Sequence, residues 1–181
     1  MSQHKERTVG ISTCQTAFGW VGMAWSERGL VALTLPQAGE QEALDQLPAS
    51  SEFIPEAPSG LDVTALEVKL RRYFEGQAVT FDEPLDPTLG TDFQRRVWAI
   101  TRAIPRGQTR TYGQIARQAG SSGAARAVGQ SMAHNPWPVI VPCHRVLGSN
   151  GSLTGFGGGV EMKRRMLEIE GAMGSLFVDR S

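Results

Sequence analysis

Asn135-Pro-Trp-Pro-Val-Ile-Val-Pro-Cys-His-Arg-Val-Leu-Gly148 organises the chain. Val139, Ile140, Val141 and Val146 favour extended backbone, and they flank a sharp polar insert, Pro142-Cys143-His144-Arg145. The insert sets a thiol beside a titratable base and a fixed cation. Imidazole and guanidinium near a thiol lower its pKa, and the thiolate is the reactive form. On a regular strand Cys143 and His144 would point to opposite faces. Either the segment turns there, helped by Pro142, or the two side chains communicate through a water. A packed structural cysteine is the alternative reading.

Outward from this stretch, no Asp or Glu occurs between Phe93 and Val160, whereas Arg95, Arg96, Arg102, Arg106, Arg110, Arg117, Arg126 and Arg145 all fall there. A carboxylate that orients His144 must therefore come from elsewhere. The last helix offers Glu170 and Glu168, and the first half of the chain offers others. The net charge of +0 over 181 residues conceals a division. Residues 1–88 carry 6 Lys and Arg against 13 Asp and Glu, and residues 89–181 carry 12 against 5. A solvated face usually mixes signs. An arginine-rich stretch without carboxylates points to a polyanion, nucleic acid or phosphate.

With 40% hydrophobic and 20% charged residues, a globular protein of one sizeable or two small domains is expected. No long apolar run indicates a transmembrane helix. Met1-Ser-Gln-His-Lys-Glu-Arg7 leads into no signal-like apolar region. Cys14 and Cys143 lie far apart in unlike contexts, which fits a reducing cytosol better than a disulfide framework. A cytoplasmic or nucleoid-associated protein is expected.

Thr8–Thr13, Ala17–Trp25 and Leu30–Leu35 read as a β-meander, with Ser26-Glu27-Arg28-Gly29 as a hairpin connection. Cys14, just past the first run, has no activating neighbour and reads as a packed thiol. Gln41–Leu47 is a candidate short helix. Over Asp62–Glu75, Val63, Leu66, Leu70, Tyr73 and Phe74 recur at helical spacing, and Gly76 stands at the C′ position. Composition and charge sign change within residues 77–90. The domains are therefore drawn as 1–88, a small antiparallel sheet with a helix, and 89–181, a helical domain.

The second domain opens on a capping box, Thr91-Asp-Phe-Gln94. Its helix places Phe93, Val97, Ile100 and Ile104 on one face. Tyr112–Ala119 and Gly123–His134 follow as two helices joined by a Gly-containing turn, a helix-turn-helix pattern. Gly123, Ala124, Ala125, Ala127 and Gly129 would let the third helix approach a partner backbone closely, or pack tightly on another helix. Gly148–Gly159 reads as a mobile loop rich in backbone N–H donors. It matches no nucleotide-binding motif. Val160–Gly171 reads as the last helix.

Pro142-Cys143-His144-Arg145-Val146 resembles the active-site pentapeptide of the O6-alkylguanine-DNA alkyltransferases. The resemblance extends, in the family's order, through Phe93–Trp98, Ile104–Gly113, Ala125–Gly129, Asn135-Pro136, Gly148–Gly159 and Leu167–Gly171. It is strong from about Thr91 to Gly171 and looser before that. It implies an α/β two-domain protein with a ribonuclease-H-like first domain and a helix-turn-helix in the second. The implied activity is DNA repair by irreversible transfer of an alkyl group from O6 of guanine to Cys143, one turnover per molecule. O4 of thymine is a second candidate position.

By the same resemblance, His144 acts as base through a bound water and Glu170 orients it. Asn135 braces the turn, and Tyr112 gives a proton to the departing base. Arg126 fills the gap left by a flipped-out nucleotide. Ala125, Ala127, Gly129, Thr111 and Arg145 join it at the DNA, in the minor groove. Val146, Phe156, Gly157 and Lys163 form the pocket for the base. The implied partner is double-stranded DNA carrying an alkylated guanine. The protein is expected as a monomer, with cooperative DNA binding left open, and without membrane, metal or other cofactor. Cys14 and His4 are too few for the structural metal that some relatives hold.

Two departures stand out. Phe156 occupies a place where many relatives carry Tyr, which removes a hydroxyl and leaves Lys163 in need of another partner. Gly157 replaces a small polar residue or Ala. Two rival functions follow from the residues. A lesion-flagging module would have replaced the nucleophile. A thiol hydrolase would need an oxyanion hole and no acid-free, arginine-rich half.

Overall fold

The computed structural model describes residues 9–49 and 56–172. Thr8, the N-terminal run with His4, and the tail beyond Ala172 lie outside the described residues. The chain divides into two compact units, Met1–Glu75 with Val79–Leu89, and Gly76–Ala78 with Gly90–Ser181.

In the first unit β1 (Gly10–Thr16), β2 (Gly19–Ser26) and β3 (Gly29–Leu33) form an antiparallel meander in the order β1-β2-β3. The β2–β3 hairpin pairs Ser26 with Gly29 across Glu27 and Arg28, as its composition predicts. The first hairpin differs from the sequence reading. β1 runs on to Thr16 and pairs it with Gly19, so Ala17 lies in the turn and Cys14 lies inside the strand opposite Val21. Cys14 is buried, and burial pushes its thiol up to about 11, which fits a packing role.

Successive strand residues face opposite sides, and each side meets one helix. α1 (Glu40–Asp45) lies on the Thr13 and Gly22 side, where Thr13 Oγ1 donates to Glu40 Oε1 at 2.6 Å. A Cβ on Gly22 would stand 2.9 Å from the Ala43 carbonyl oxygen, so only glycine admits this approach. α2 (Val63–Phe74) lies on the other side, where Ser12 Oγ donates to Glu67 Oε1 at 2.8 Å. Leu66, Leu70, Tyr73 and Phe74 of α2 are buried, which is the stripe that the spacing predicts. Asp62 caps the helix by accepting from Ala65 N at 2.9 Å, and Gly76 takes φ 85° beyond its end.

The second unit contains α3 (Asp92–Arg102), β4 (Arg110–Thr111), α4 (Tyr112–Gln118), α5 (Ala125–Ala133), a 3-10 turn (Cys143–Arg145), β5 (Val146–Leu147) and α6 (Gly159–Ile169). Val97, Ile104, Ile115, Ala116, Val128 and Met132 build its core together with Cys143 and Val146. Phe93 and Ile100 pack on the edge. α5 begins two residues later than the composition predicts, since Gly123 takes φ 89° and ends a turn rather than opening a helix. β4 and β5 pair in parallel, Arg110 with Val146 and Thr111 with Leu147. This short ladder fixes the start of the helix-turn-helix beside the segment that follows Cys143.

The Thr91–Gln94 capping box forms in full. Gln94 N donates to Thr91 Oγ1 at 3.2 Å, and Thr91 N donates to Gln94 Oε1 at 2.8 Å. Thr91→Ala removes half of it and should lower the unfolding free energy by about 1 kcal/mol, while Thr91→Ser should retain most of it. Urea denaturation of the three proteins measures both.

Candidate active site

The chain before Cys143 does not form the extended flank that Val139, Ile140 and Val141 predict. It forms a tight buried turn in which Val139 takes φ 77°. That region is unfavourable for a β-branched residue, so the surroundings must enforce it. Asn135 does so from both ends of its amide. Nδ2 donates to the Val141 carbonyl at 2.9 Å, and Oδ1 accepts from Trp137 N at 3.0 Å. Val141 N closes the turn on the Trp137 carbonyl at 2.8 Å. Trp137 packs edge-on against Trp98 with centroids 5.4 Å apart, and Trp98 Nε1 donates to the Ser131 carbonyl of α5 at 2.8 Å. The helix-turn-helix and the nucleophile turn therefore share one support.

Pro142 leads into the 3-10 turn, so Cys143 and His144 are not successive residues of a strand. Cys143 sits in the core at 8% exposure and His144 is fully buried. His144 Nε2 lies 2.8 Å from Glu170 Oε1. Glu170 stands just past α6 and is also buried. Among the described residues, the candidate carboxylate Glu170 meets His144. Glu168 instead pairs with Arg164 on the exposed side of α6.

Arg145 corrects an expectation. Its guanidinium does not serve the thiol, and it is not a surface cation. Nε donates to Glu170 Oε2 and Nη2 to Glu170 Oε1, each at 2.8 Å, and Nη1 donates to the Ile104 carbonyl at 2.6 Å. The fork geometry of Arg suits this two-oxygen grip, and the side chain is only 12% exposed.

The electrostatics differ accordingly from the sequence reading. Burial pushes the Cys143 thiol up, while a hydrogen bond from Asn135 and the charge of Lys163 pull it back. At rest the group is a thiol rather than a preformed thiolate. Burial also lowers His144 against the opposing pull of Glu170, so the imidazole is neutral and able to accept a proton. Burial raises Glu170, but its hydrogen bonds and charge interactions with His144 and Arg145 outweigh that and hold it well below the usual carboxylate range.

Tyr112, Val146, Phe156 and Lys163 lie in or against the cluster that contains Cys143. Tyr112 opens α4, and its hydroxyl donates to the Thr154 carbonyl at 3.2 Å. Val146 lies in the Cys143 cluster, and Phe156 packs against it. Lys163 of α6 is fully buried and finds partners without a tyrosine hydroxyl. Nζ donates to Val146 O at 2.6 Å and to Thr154 O at 3.1 Å, and it stands 5.9 Å from the Tyr112 and Phe156 ring centroids. Gly157 is exposed in the loop. That loop is tied at several points, including Gly148 N to Ser152 O at 3.0 Å.

On α5 Arg126 and Ala127 are exposed, with Ala125 and Gly129 half-buried beside them. Arg96 and Arg117 are exposed as well, whereas Arg95 is held by Asp92 and Gly90, and Arg106 by the Gly76, Gln77 and Ile169 carbonyls. The accessible basic surface is thus narrower than the arginine count implies. Thr111 has a local task. It caps α4, accepting from Gln114 N at 3.2 Å, while Gln114 Oε1 accepts from Thr111 N at 2.7 Å. This second capping box was legible in the same Thr-x-x-Gln spacing as the first.

The buried pair sets the acid response. His144 and Glu170 both lie below their ordinary values of 6.5 and 4.5. The unfolded chain therefore binds more protons as pH falls, and stability declines in that direction. Loss should begin below about pH 6.5 and steepen below about pH 4.5 in urea titrations. Glu170→Gln should cost about 3 kcal/mol at neutral pH, because Arg145 loses its counter-charge, and should flatten the steeper acid limb.

Residues 92–172 match the family described as 6-O-methylguanine DNA methyltransferase, DNA binding domain, and residues 11–87 match 6-O-methylguanine DNA methyltransferase, ribonuclease-like domain. A methylated-DNA–protein-cysteine methyltransferase of Mycobacterium tuberculosis is 56% identical over 102 residues, 56% of this chain and 61% of that protein. The match thus spans less than two thirds of that relative. One from Methanosarcina acetivorans is 38% identical over 159 residues, 87% of this chain and 96% of that protein. The crystal structure of Mycobacterium tuberculosis OGT in complex with DNA superposes with a TM-score of 0.74 at 40% identity, covering 91% of this chain and 94% of that one. On this agreement along nearly its whole length, the chain belongs to the methylated-DNA–protein-cysteine methyltransferase family.

Proposed function

We propose that the protein repairs double-stranded DNA by moving an alkyl group from O6 of guanine to Cys143, irreversibly and once per molecule. The observation that carries this reading is the buried Cys143–His144–Glu170 arrangement within a helix-turn-helix unit. Its likeness to a relative crystallised with DNA supports the choice of partner.

An alkyl carbon inside a duplex cannot be reached in line by a protein sulfur, so the nucleotide must rotate out of the stack. The exposed Arg126 on α5 takes the vacated place, and Ala125, Ala127 and Gly129 let the helix lie close in the minor groove. Thr111 supports this indirectly by fixing the start of α4. Val146, Phe156, Gly157 and Lys163 surround the extruded base.

At rest the nucleophile is a protonated thiol, so its proton must leave as the reaction proceeds. His144 accepts it through a bridging water, using the ring nitrogen not turned to Glu170. Glu170 stabilises the resulting imidazolium. Sulfur forms a bond to the alkyl carbon while the carbon–oxygen bond breaks, and that electron pair leaves with the guanine. The Tyr112 hydroxyl supplies the proton that neutralises the departing base and is reprotonated from solvent. The product thioether has no labile leaving group at neutral pH, which makes the protein its own acceptor. Every step uses side chains of this chain acting as a monomer.

Cys143→Ser should abolish transfer. Flipping costs a few kcal/mol, so removing the residue that fills the gap with Arg126→Ala should slow transfer from duplex DNA by about tenfold or more. Transfer from free O6-methylguanine base, which needs no flipping, should be unchanged. Equal slowing on both substrates would assign Arg126 a structural task instead.

A further inference from the structure

Lys163 has unusual surroundings. The chain contains three lysines, Lys5, Lys69 and Lys163. Lys163 is fully buried, and among the described residues no carboxylate lies within ion-pair distance of its Nζ. A buried ammonium without a counter-ion is costly, so this position needs a reason. Its polar contacts are the carbonyls of Val146 and Thr154, at 2.6 and 3.1 Å. Val146 follows Cys143 by three residues and shares its core cluster, and Thr154 lies in the glycine-rich loop. The Tyr112 and Phe156 rings, each 5.9 Å from Nζ, pack against that same cluster. Aromatic faces attract a cation without neutralising it. The titratable groups near the ammonium are Cys143 and His144 from the 3-10 turn and Tyr112 from α4, and the loop contributes none. Of these, only a thiolate or a phenolate could balance its charge.

We infer that Lys163 is the counter-cation of the Cys143 thiolate, held by the Tyr112 and Phe156 rings and by the carbonyls of Val146 and Thr154, in the place that the sequence assigns to Arg145. It is a positioning residue that acts through the sulfur. Two consequences follow. The thiol proton goes to His144 while Lys163 keeps its own, so the sulfur ionises against a charge already in place. The same ammonium ties the glycine-rich loop to β5, so the cation that stabilises the nucleophile also holds the wall of its pocket. Phe156 serves this arrangement without a hydroxyl, since a ring face is what the ammonium meets. The titration behaviour agrees. Burial brings Lys163 down to about 8, and the Lys163 and Cys143 charges each favour the other.

This inference rests on Cys143 as the nucleophile, but its test needs no DNA. The rate of iodoacetamide labelling of the Cys143 peptide, followed by mass spectrometry from pH 6 to 10, gives the thiol pKa. Cys14 is read on a separate peptide. Lys163→Met should raise the apparent pKa by at least one unit, so that labelling near neutral pH slows about tenfold. Lys163→Arg, which keeps the charge, should recover most of that rate. A profile for Lys163→Met that overlays the parent would overturn the inference, whatever methyl transfer shows. A second variant covers the case in which Lys163→Met fails to fold. Lys163→Gln removes the charge but keeps an N–H donor for the Val146 and Thr154 carbonyls. It should slow labelling near neutral pH in the same way, and a profile that overlays the parent would overturn the inference.

Discussion

Glu170 holds both side chains that follow the nucleophile. Its two oxygens meet His144 Nε2 and the Nε and Nη2 of Arg145, all at 2.8 Å. No other carboxylate is available nearby in sequence, because the chain has none from Phe93 to Val160. The grip must therefore be made across the unit, from the end of α6 to the 3-10 turn. Arg145 extends it to the Ile104 carbonyl beyond α3, and Arg106 reaches back to the Ile169 carbonyl at the end of α6. Asn135 restrains the other side of Cys143 through Trp137 and Val141. The nucleophile is held between two polar clamps, one closed across the unit by Glu170 and one local, braced by the packing of Trp137 on Trp98.

The arrangement runs against simple stability. Buried ion pairs often contribute less than a well-packed apolar core would, and a β-branched residue at positive φ adds strain. Here a buried carboxylate, imidazole and ammonium, with the largely covered Arg145 guanidinium on that carboxylate, are held in the same unit as a thiol that lies in an apolar cluster. Departures of this kind concentrate at functional sites. They also set the balance on the thiol. Burial keeps it protonated, and the neighbouring groups stabilise the charge only as it develops.

Much of this was legible in the sequence, for identifiable reasons. α2 and α3 could be placed because local signals and packing agree, as at Asp62, Thr91 and the Leu66–Leu70 stripe. Glu170 could be narrowed to a few candidates because the acid-free stretch excludes the rest. The segment Val139–Val141 misled because β-propensity reports fit to a pleated, half-buried surface. An Asn side chain that bonds its own backbone can override it locally, and that outcome depends on Trp98 and α5 far away in sequence. Arg145 misled because adjacency says nothing about where a long side chain points. Lys163 could not be given a partner beforehand, since its acceptors are main-chain carbonyls and ring faces that no residue type announces.

The most direct test is peptide mass mapping after mixing the protein with excess duplex carrying O6-methylguanine. One methyl group should replace the thiol hydrogen, confined to the Cys143 peptide and stopping at one per molecule. An unchanged mass despite tight binding to the damaged duplex, or methylation on any other residue, would contradict it.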